Sequence, residues 1–187
     1  MKFTLFILTI LLLFSSVNTY SQSSVAAHDI RINIPKVALL KLISNNSEDL
    51  FIDLSAPDKA GNRLVSGNFD KIFWVNYSSV LNKSDQKRKI VAVMKNELPK
   101  GIHLKVQAYN ATGGGAGTLG NPTNEVILSN NPSDIITGIG SCFTGKGVDN
   151  GHSLKYSLEF DKTTEDYASI TSKSYRLNII YTLTDDN

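Results

Sequence analysis

The chain has 187 residues, of which 41% are hydrophobic and 19% charged, with 19 Lys+Arg against 17 Asp+Glu and a single Cys. This excludes a disordered tail, a collagen-like repeat and an internally disulfide-stapled miniprotein, since one cysteine has nothing to pair with. A formal charge of +2 gives no field that would draw nucleic acid or anionic lipid.

Lys2 precedes an apolar run, Phe3 to Phe14, interrupted only by Thr4 and Thr9 and followed by polar residues to Thr19, Tyr20, Ser21 and Gln22. The run is shorter than the roughly 20 residues a membrane-spanning helix needs, and small side chains at Thr19 and Ser21 suit cleavage between Ser21 and Gln22. Residues 1–21 therefore read as a signal peptide and 22–187 as one exported domain, located in the periplasm, at the cell surface or outside the cell. No later segment reads as a membrane span. Four Asn-x-Ser/Thr sequences, at Asn45, Asn76, Asn82 and Asn110, would be acceptors in a host that glycosylates.

Alternation with period two then dominates. Ile30, Ile32 and Ile34 alternate with Asp29, Arg31 and Asn33. Strand-like runs rich in β-branched or aromatic residues follow at Val37 to Ile43, Leu50 to Leu54, Ile72 to Val80, Ile90 to Met94, Val126 to Leu128 and Ile135 to Ile139. Three runs alternate over their full length. Ile102, Leu104, Val106 and Ala108 face one way; Leu154, Tyr156, Leu158 and Phe160 do so in His152 to Phe160; and Tyr175, Leu177, Ile179, Tyr181 and Leu183 do so near the end. Turn chemistry separates the runs, for example Ala60-Gly61-Asn62, Pro99-Lys100-Gly101 and Asn150-Gly151. Only Asp161 to Thr171 and Ser84 to Lys89 have room for a helical turn. Strands that succeed one another without crossover helices pair antiparallel. The expectation is an all-β antiparallel sandwich of about ten strands, Ig-like or pilin-like, in preference to a closed barrel.

Several motifs resemble chemistry and fail on context. Gly115 to Gly120 has G-x-G-x-x-G spacing, but Asn121-Pro122-Thr123 follows where a phosphate-binding turn needs a helix. Gly140 to Lys146 has G-x-x-x-x-G-K spacing, but Gly147 stands where a magnesium-binding hydroxyl belongs. Cys142 and His152 would need a third, orienting group to act as a nucleophilic pair. His28, His103 and His152 show no zinc spacing. Asp161, Glu165 and Asp166, or Asp149 with Asn150, lack the regular spacing of a calcium loop. No catalytic residue, metal or cofactor is expected. In Phe73-Trp74-Val75-Asn76-Tyr77, alternation sets the only tryptophan opposite Phe73, Val75 and Tyr77, so one set packs inside and the other meets a second layer or a ligand. Trp74 and Tyr77 are the candidate ligand contacts.

The segments Ile30 to Leu40, Phe73 to Tyr77, Ile136 to Cys142 and Leu177 to Thr184 together resemble a group of exported β-proteins of Gram-negative envelopes, over most of the processed chain. The resemblance brings no activity with it. The last strand, Tyr181-Thr182-Leu183-Thr184-Asp185, is also similar to that of fimbrial subunits and of WxL cell-wall domains, although Trp74-Val75-Asn76 departs from the WxL tripeptide and the pilin disulfide is missing. These observations lead to a non-catalytic structural or adhesive protein of the cell surface, matrix or fimbria-like assemblies, with the loops Thr112 to Asn124 and Ser141 to Gly151 as contact regions. Its partner is a surface glycan, another protein, or a second copy paired through a strand carrying Ile30, Ile32 and Ile34. The alternative is a carbohydrate-binding module or envelope hydrolase.

Overall fold

A computed structural model describes residues 27–45, 50, 54–66, 71–161 and 167–186. The expected signal peptide and the cleavage position expected at Ser21 and Gln22 lie outside these, as do Glu165 and Asp166. The chain divides into two units, one ending at Ile34 and one from Pro35 to Asn187. Residues 27–34 join no ladder, so the strand expected at Ile30 to Ile34 does not form, and its three isoleucines are 74–80% exposed. Alternation makes a segment fit for a sheet, but a strand exists only where a neighbour takes its hydrogen bonds.

Among the described residues the second unit holds thirteen strands: β1 (Val37–Ser44), β2 (Leu54–Ser55), β3 (Val65–Ser66), β4 (Phe73–Val80), β5 (Arg88–Met94), β6 (Ile102–Ala108), β7 (Ala116–Gly117), β8 (Asn121–Pro122), β9 (Val126–Ile127), β10 (Ser133–Ile139), β11 (Cys142–Phe143), β12 (His152–Phe160) and β13 (Ile179–Asp185). Every pairing is antiparallel. The large sheet runs β7-β11-β4-β12-β6-β9, with β1 on the other side of β4; the small one runs β13-β5-β10-β8; β2 and β3 form a separate ribbon. The two main sheets face each other as a sandwich, the antiparallel all-β architecture expected. Among the described residues no helix is long and apolar enough to cross a membrane.

The core follows from the alternation. Phe73, Val75 and Tyr77 of β4, Leu104, Val106 and Ala108 of β6, and Leu154 and Tyr156 of β12 meet Ile90, Ala92 and Met94 of β5 and Ile135, Ile136 and Ile139 of β10, all buried. The rings of Phe73 and Tyr156 meet edge to face, centroids 5.6 Å apart. Polar side chains also tie the two sheets together. The Tyr156 hydroxyl bonds that of Tyr181 at 2.6 Å, and burial pushes the Tyr156 phenol up to about 12. Arg88, 4% exposed, donates to the Val37 carbonyl, to Ser79 Oγ at 3.1 Å and to Asp185 Oδ1 at 3.2 Å. A guanidinium with three acceptors is satisfied where an unpaired one would be expelled.

Three differences from the sequence reading have local causes. In β10 both Ile135 and Ile136 are buried, because the register against β5 shifts between Asp134 and Ile136 and again before Ile139; an irregularity turns two consecutive side chains inward. The last strand starts at Ile179 and not Tyr175: Leu177 still packs on the core, but residues 174–178 lie outside the ladder. Four two-residue strands, β3, β7, β8 and β11, were not expected, being too short to show a period.

Candidate functional site

The outward side chains of the large sheet can be placed by register. In β4 the residues facing out are Trp74, Asn76, Ser78 and Val80, opposite Ile43, Lys41, Leu39 and Val37 of β1. Beyond β4, Ser78 pairs with Phe143 and Trp74 with Ser153, whose carbonyl accepts from the Tyr109 N–H at 2.9 Å. Two rows result: Leu39, Ser78 and Phe143; and Ile43, Trp74, Ser153 and Tyr109. Leu39 is 66% exposed, Phe143 51% and Tyr109 45%, with Trp74 and Ile43 half-buried beside them. The two rows thus place exposed apolar and aromatic side chains on a paired sheet, carbon that gains free energy when another surface covers it. Lys155 places its Nζ over the Tyr109 ring, 5.6 Å from the centroid.

Between these rows lies a glycine-rich cap. β12 pairs with β4 at residues 73–75 and β11 pairs with it at 78–79, so the chain between them, 144–151, must arch over Asn76 and Tyr77. Thr144 re-enters the ladder, its N–H donating to the Tyr77 carbonyl at 3.0 Å and its Oγ1 accepting from the Tyr77 N–H at 3.0 Å. Gly147 N–H donates to Asn76 Oδ1 at 2.7 Å, and Asn76 Nδ2 donates to the Asn150 carbonyl at 2.6 Å. The Asn150 amide then fastens the second glycine-rich stretch: Gly114 N–H donates to its Oδ1 at 3.0 Å, while its Nδ2 donates to the Val148 and Lys146 carbonyls. Gly151 sits at φ +79°, and a Cβ there would come 2.2 Å from the Val75 carbonyl oxygen, so no other residue fits.

Under the cap His152 is fully buried. Its Nδ1 lies 2.7 Å from the Tyr109 carbonyl, which can only accept, so Nδ1 carries the proton. Nε2 lies 2.9 Å from the Tyr77 hydroxyl and 3.3 Å from the Leu119 carbonyl, and the single proton of that hydroxyl is directed at the carbonyl. Burial pushes the imidazole below its usual value, against the pull of the two carbonyls. Burial also raises the Tyr77 phenol. One side chain thus anchors both ends of the stretch between Tyr109 and Leu119.

Of the two aromatic contact candidates, Trp74 lies on the apolar face as a half-buried member of its row. Tyr77 does not: it is 3% exposed on the inner face, with its hydroxyl engaged by His152 and Leu119. Cys142 is buried on the inner side of β11, and burial raises its thiol; His152 Nε2 is turned to Tyr77, so the two form no nucleophilic pair. The G-x-G-x-x-G stretch becomes β7 and the turn into β8, and the G-x-x-x-x-G-K stretch becomes β11 and the start of the cap. They meet each other, Cys142 opposite Gly117 and Phe143 opposite Ala116. Among the described residues no three His, Cys, Asp or Glu side chains gather around a metal position. Asp161 instead accepts from His103 Nε2 at 2.9 Å. Of the glycosylation sequences, Asn76 is 7% exposed with both ends of its amide bonded, which closes it to modification in the folded chain.

Sequence reasoning missed Asn76, Asn150 and His152 as organisers. Their signals were present: His152 shares parity with Leu154, and Asn150-Gly151 is turn chemistry. The class defined by fold and site is an antiparallel all-β sandwich with an apolar outer face and a glycine-rich cap. No family model, curated protein or solved structure matches the chain.

Proposed function

We propose that the chain is a non-catalytic, exported structural or adhesive component of the cell surface, of matrix or of fimbria-like assemblies. The observation that carries this reading is the apolar face of Leu39, Ile43, Trp74, Phe143 and Tyr109 on a sheet stiffened by the Asn150 cap. Such a face lowers free energy when another surface covers it, and its rigid base keeps the ordering cost of binding small. Export is supported by the apolar leader of residues 1–21. The test is retention of the processed chain on envelope and matrix material, for wild type beside Leu39→Asp and Phe143→Ser. Retention that falls at least about tenfold in the variants, with melting unchanged, is the expected result. Equal retention of all three chains overturns the reading.

A carbohydrate-binding module is the second reading, favoured by the row that holds Trp74 and Tyr109 two strands apart, about 9–10 Å at normal strand spacing. Aromatic faces at such a spacing stack on sugar rings. A glycan panel read by tryptophan fluorescence, with acrylamide quenching alongside, decides it: a glycan that protects Trp74 from quenching supports stacking, and no shift on any glycan removes it.

A further inference from the structure

Among the described residues no further strand covers the edge of the large sheet at β1. Natural edge strands are shortened, bulged, or armed with proline and several charges so that they do not recruit other strands. β1 is eight residues long, pairs with β4 in unbroken register, and among the described residues pairs with nothing else. Its sequence Val-Ala-Leu-Leu-Lys-Leu-Ile-Ser contains one charge, Lys41, and no proline. Its inward row is also incompletely covered: Leu40 and Leu42 are only partly buried and Ala38 is exposed.

The chain carries a complementary segment. Ala27–Ile34 has the alternation of a half-buried strand, yet pairs with nothing among the described residues and exposes Ile30, Ile32 and Ile34. We propose that this segment of one copy adds to the β1 edge of a second copy as an antiparallel strand. This rests on the reading as an assembly component and gives it a partner.

Charge and face parity fix the register. With Asp29 opposite Lys41, Ile30 falls opposite Leu40 and Ile32 opposite Ala38, on the inward face, and the only charge of β1 meets an acid. Shifting by two toward Ile43 keeps the faces but sets Arg31 against Lys41, a like-charge pair. Two β1 edges pairing with each other about their centre would crowd their Lys41 side chains. Folding back of the segment on its own β1 is disfavoured by the link: Ile34 precedes Pro35 and is held extended, while a two-residue Pro35-Lys36 turn needs positive φ that proline cannot adopt and would reverse the face of every isoleucine. Because each copy offers one segment and one edge, the contact is head to tail and grows open chains.

The test uses the full processed chain beginning at Gln22. Sedimentation velocity is expected to show oligomers that lengthen with concentration, and a monomer for the double variant Ile30→Asp with Ile32→Asp, whose positions are exposed and whose melting should match wild type. Asp29→Lys should weaken assembly at least about tenfold, and adding Lys41→Asp to it should restore assembly. Asp29→Cys with Lys41→Cys should give disulfide-linked ladders between copies, while Asp29→Cys with Ile43→Cys should not. A wild-type chain that stays monomeric, or oligomers indifferent to the isoleucine substitutions, overturns the pairing; assembly without the Asp29–Lys41 ladder overturns its register. Retention of the monomeric double variant on surface material would leave the adhesive reading standing, so the two proposals fail separately.

Discussion

The outer face of the large sheet has two halves with opposite chemistry. Over β6, β9 and β12 it is charged and closed on itself: Lys105 meets Glu159 and, at 3.4 Å, Glu125; Glu125 also accepts from Ser157 at 3.0 Å; and His103 meets Asp161. Over β1, β4 and β11 it presents Leu39, Ile43, Trp74 and Phe143 around a single charge, Lys41, and the capped Asn76, with Leu39 and Phe143 more than half exposed. The two halves teach that outward direction and solvent preference are separate properties. Polar groups on the first half satisfy one another or water, whereas carbon on the second gains only by being covered.

The sharpest way to break the comparison is at the cap that divides the apolar rows. Gly151→Ala forces a side chain to φ +79° and against the Val75 carbonyl, and should cost about 2–4 kcal/mol, measured by urea unfolding. Asn150→Ala removes the side-chain bonds that join the cap to the glycine stretch at Gly114 and should cost about 1–2 kcal/mol, with faster amide exchange at Gly114 than at β6.

Acid should weaken the buried polar group beneath the cap before it affects the fold elsewhere. An unfolded histidine titrates near 6.5, and His152 in the fold takes a proton only at lower pH. Below about 6.5 the unfolded chain therefore binds a proton that the native one does not, and stability falls with pH until the native imidazole also protonates. The wild-type decline between pH 7 and pH 5, read by chemical denaturation, should be steeper than that of His152→Gln, whose amide can still donate toward the Tyr109 carbonyl. Parallel slopes would show that His152 contributes nothing to it.

The surface halves themselves give the smallest stability effects and the cleanest contrast. Phe143→Ser should leave stability within about 0.5 kcal/mol and reduce binding of a hydrophobic dye. Lys105→Ala should change neither melting nor dye binding, because its carboxylate partners are solvated and lose little when left to water.

Much of this was legible from the chain alone. Runs such as Ile102–Ala108 and His152–Phe160 buried the faces their alternation assigned, since a pleated strand gives every second side chain the same environment. The paired Ile135 and Ile136 were not legible, because an irregular register breaks that rule locally. Nor was the meeting of the two glycine-rich stretches, which read as separate loops and join through contacts 36 or 37 residues apart, such as Thr112 Oγ1 to the Asp149 carbonyl. Tyr77 and Trp74 show the same limit within one strand: parity sets them on opposite faces, but only the strands on either side decide which face is interior.

The sequence by itself determined that this chain builds antiparallel sheets, where they turn, and which side chains travel together, because these depend on neighbours two to four residues away. The tertiary structure decided what each face meets: a second sheet for Val75, a buried imidazole for Tyr77, water for Leu39, and no strand at all for Ile30, Ile32 and Ile34. Those outcomes rest on contacts between residues distant in the chain, and a local pattern carries no information about distance closed in space.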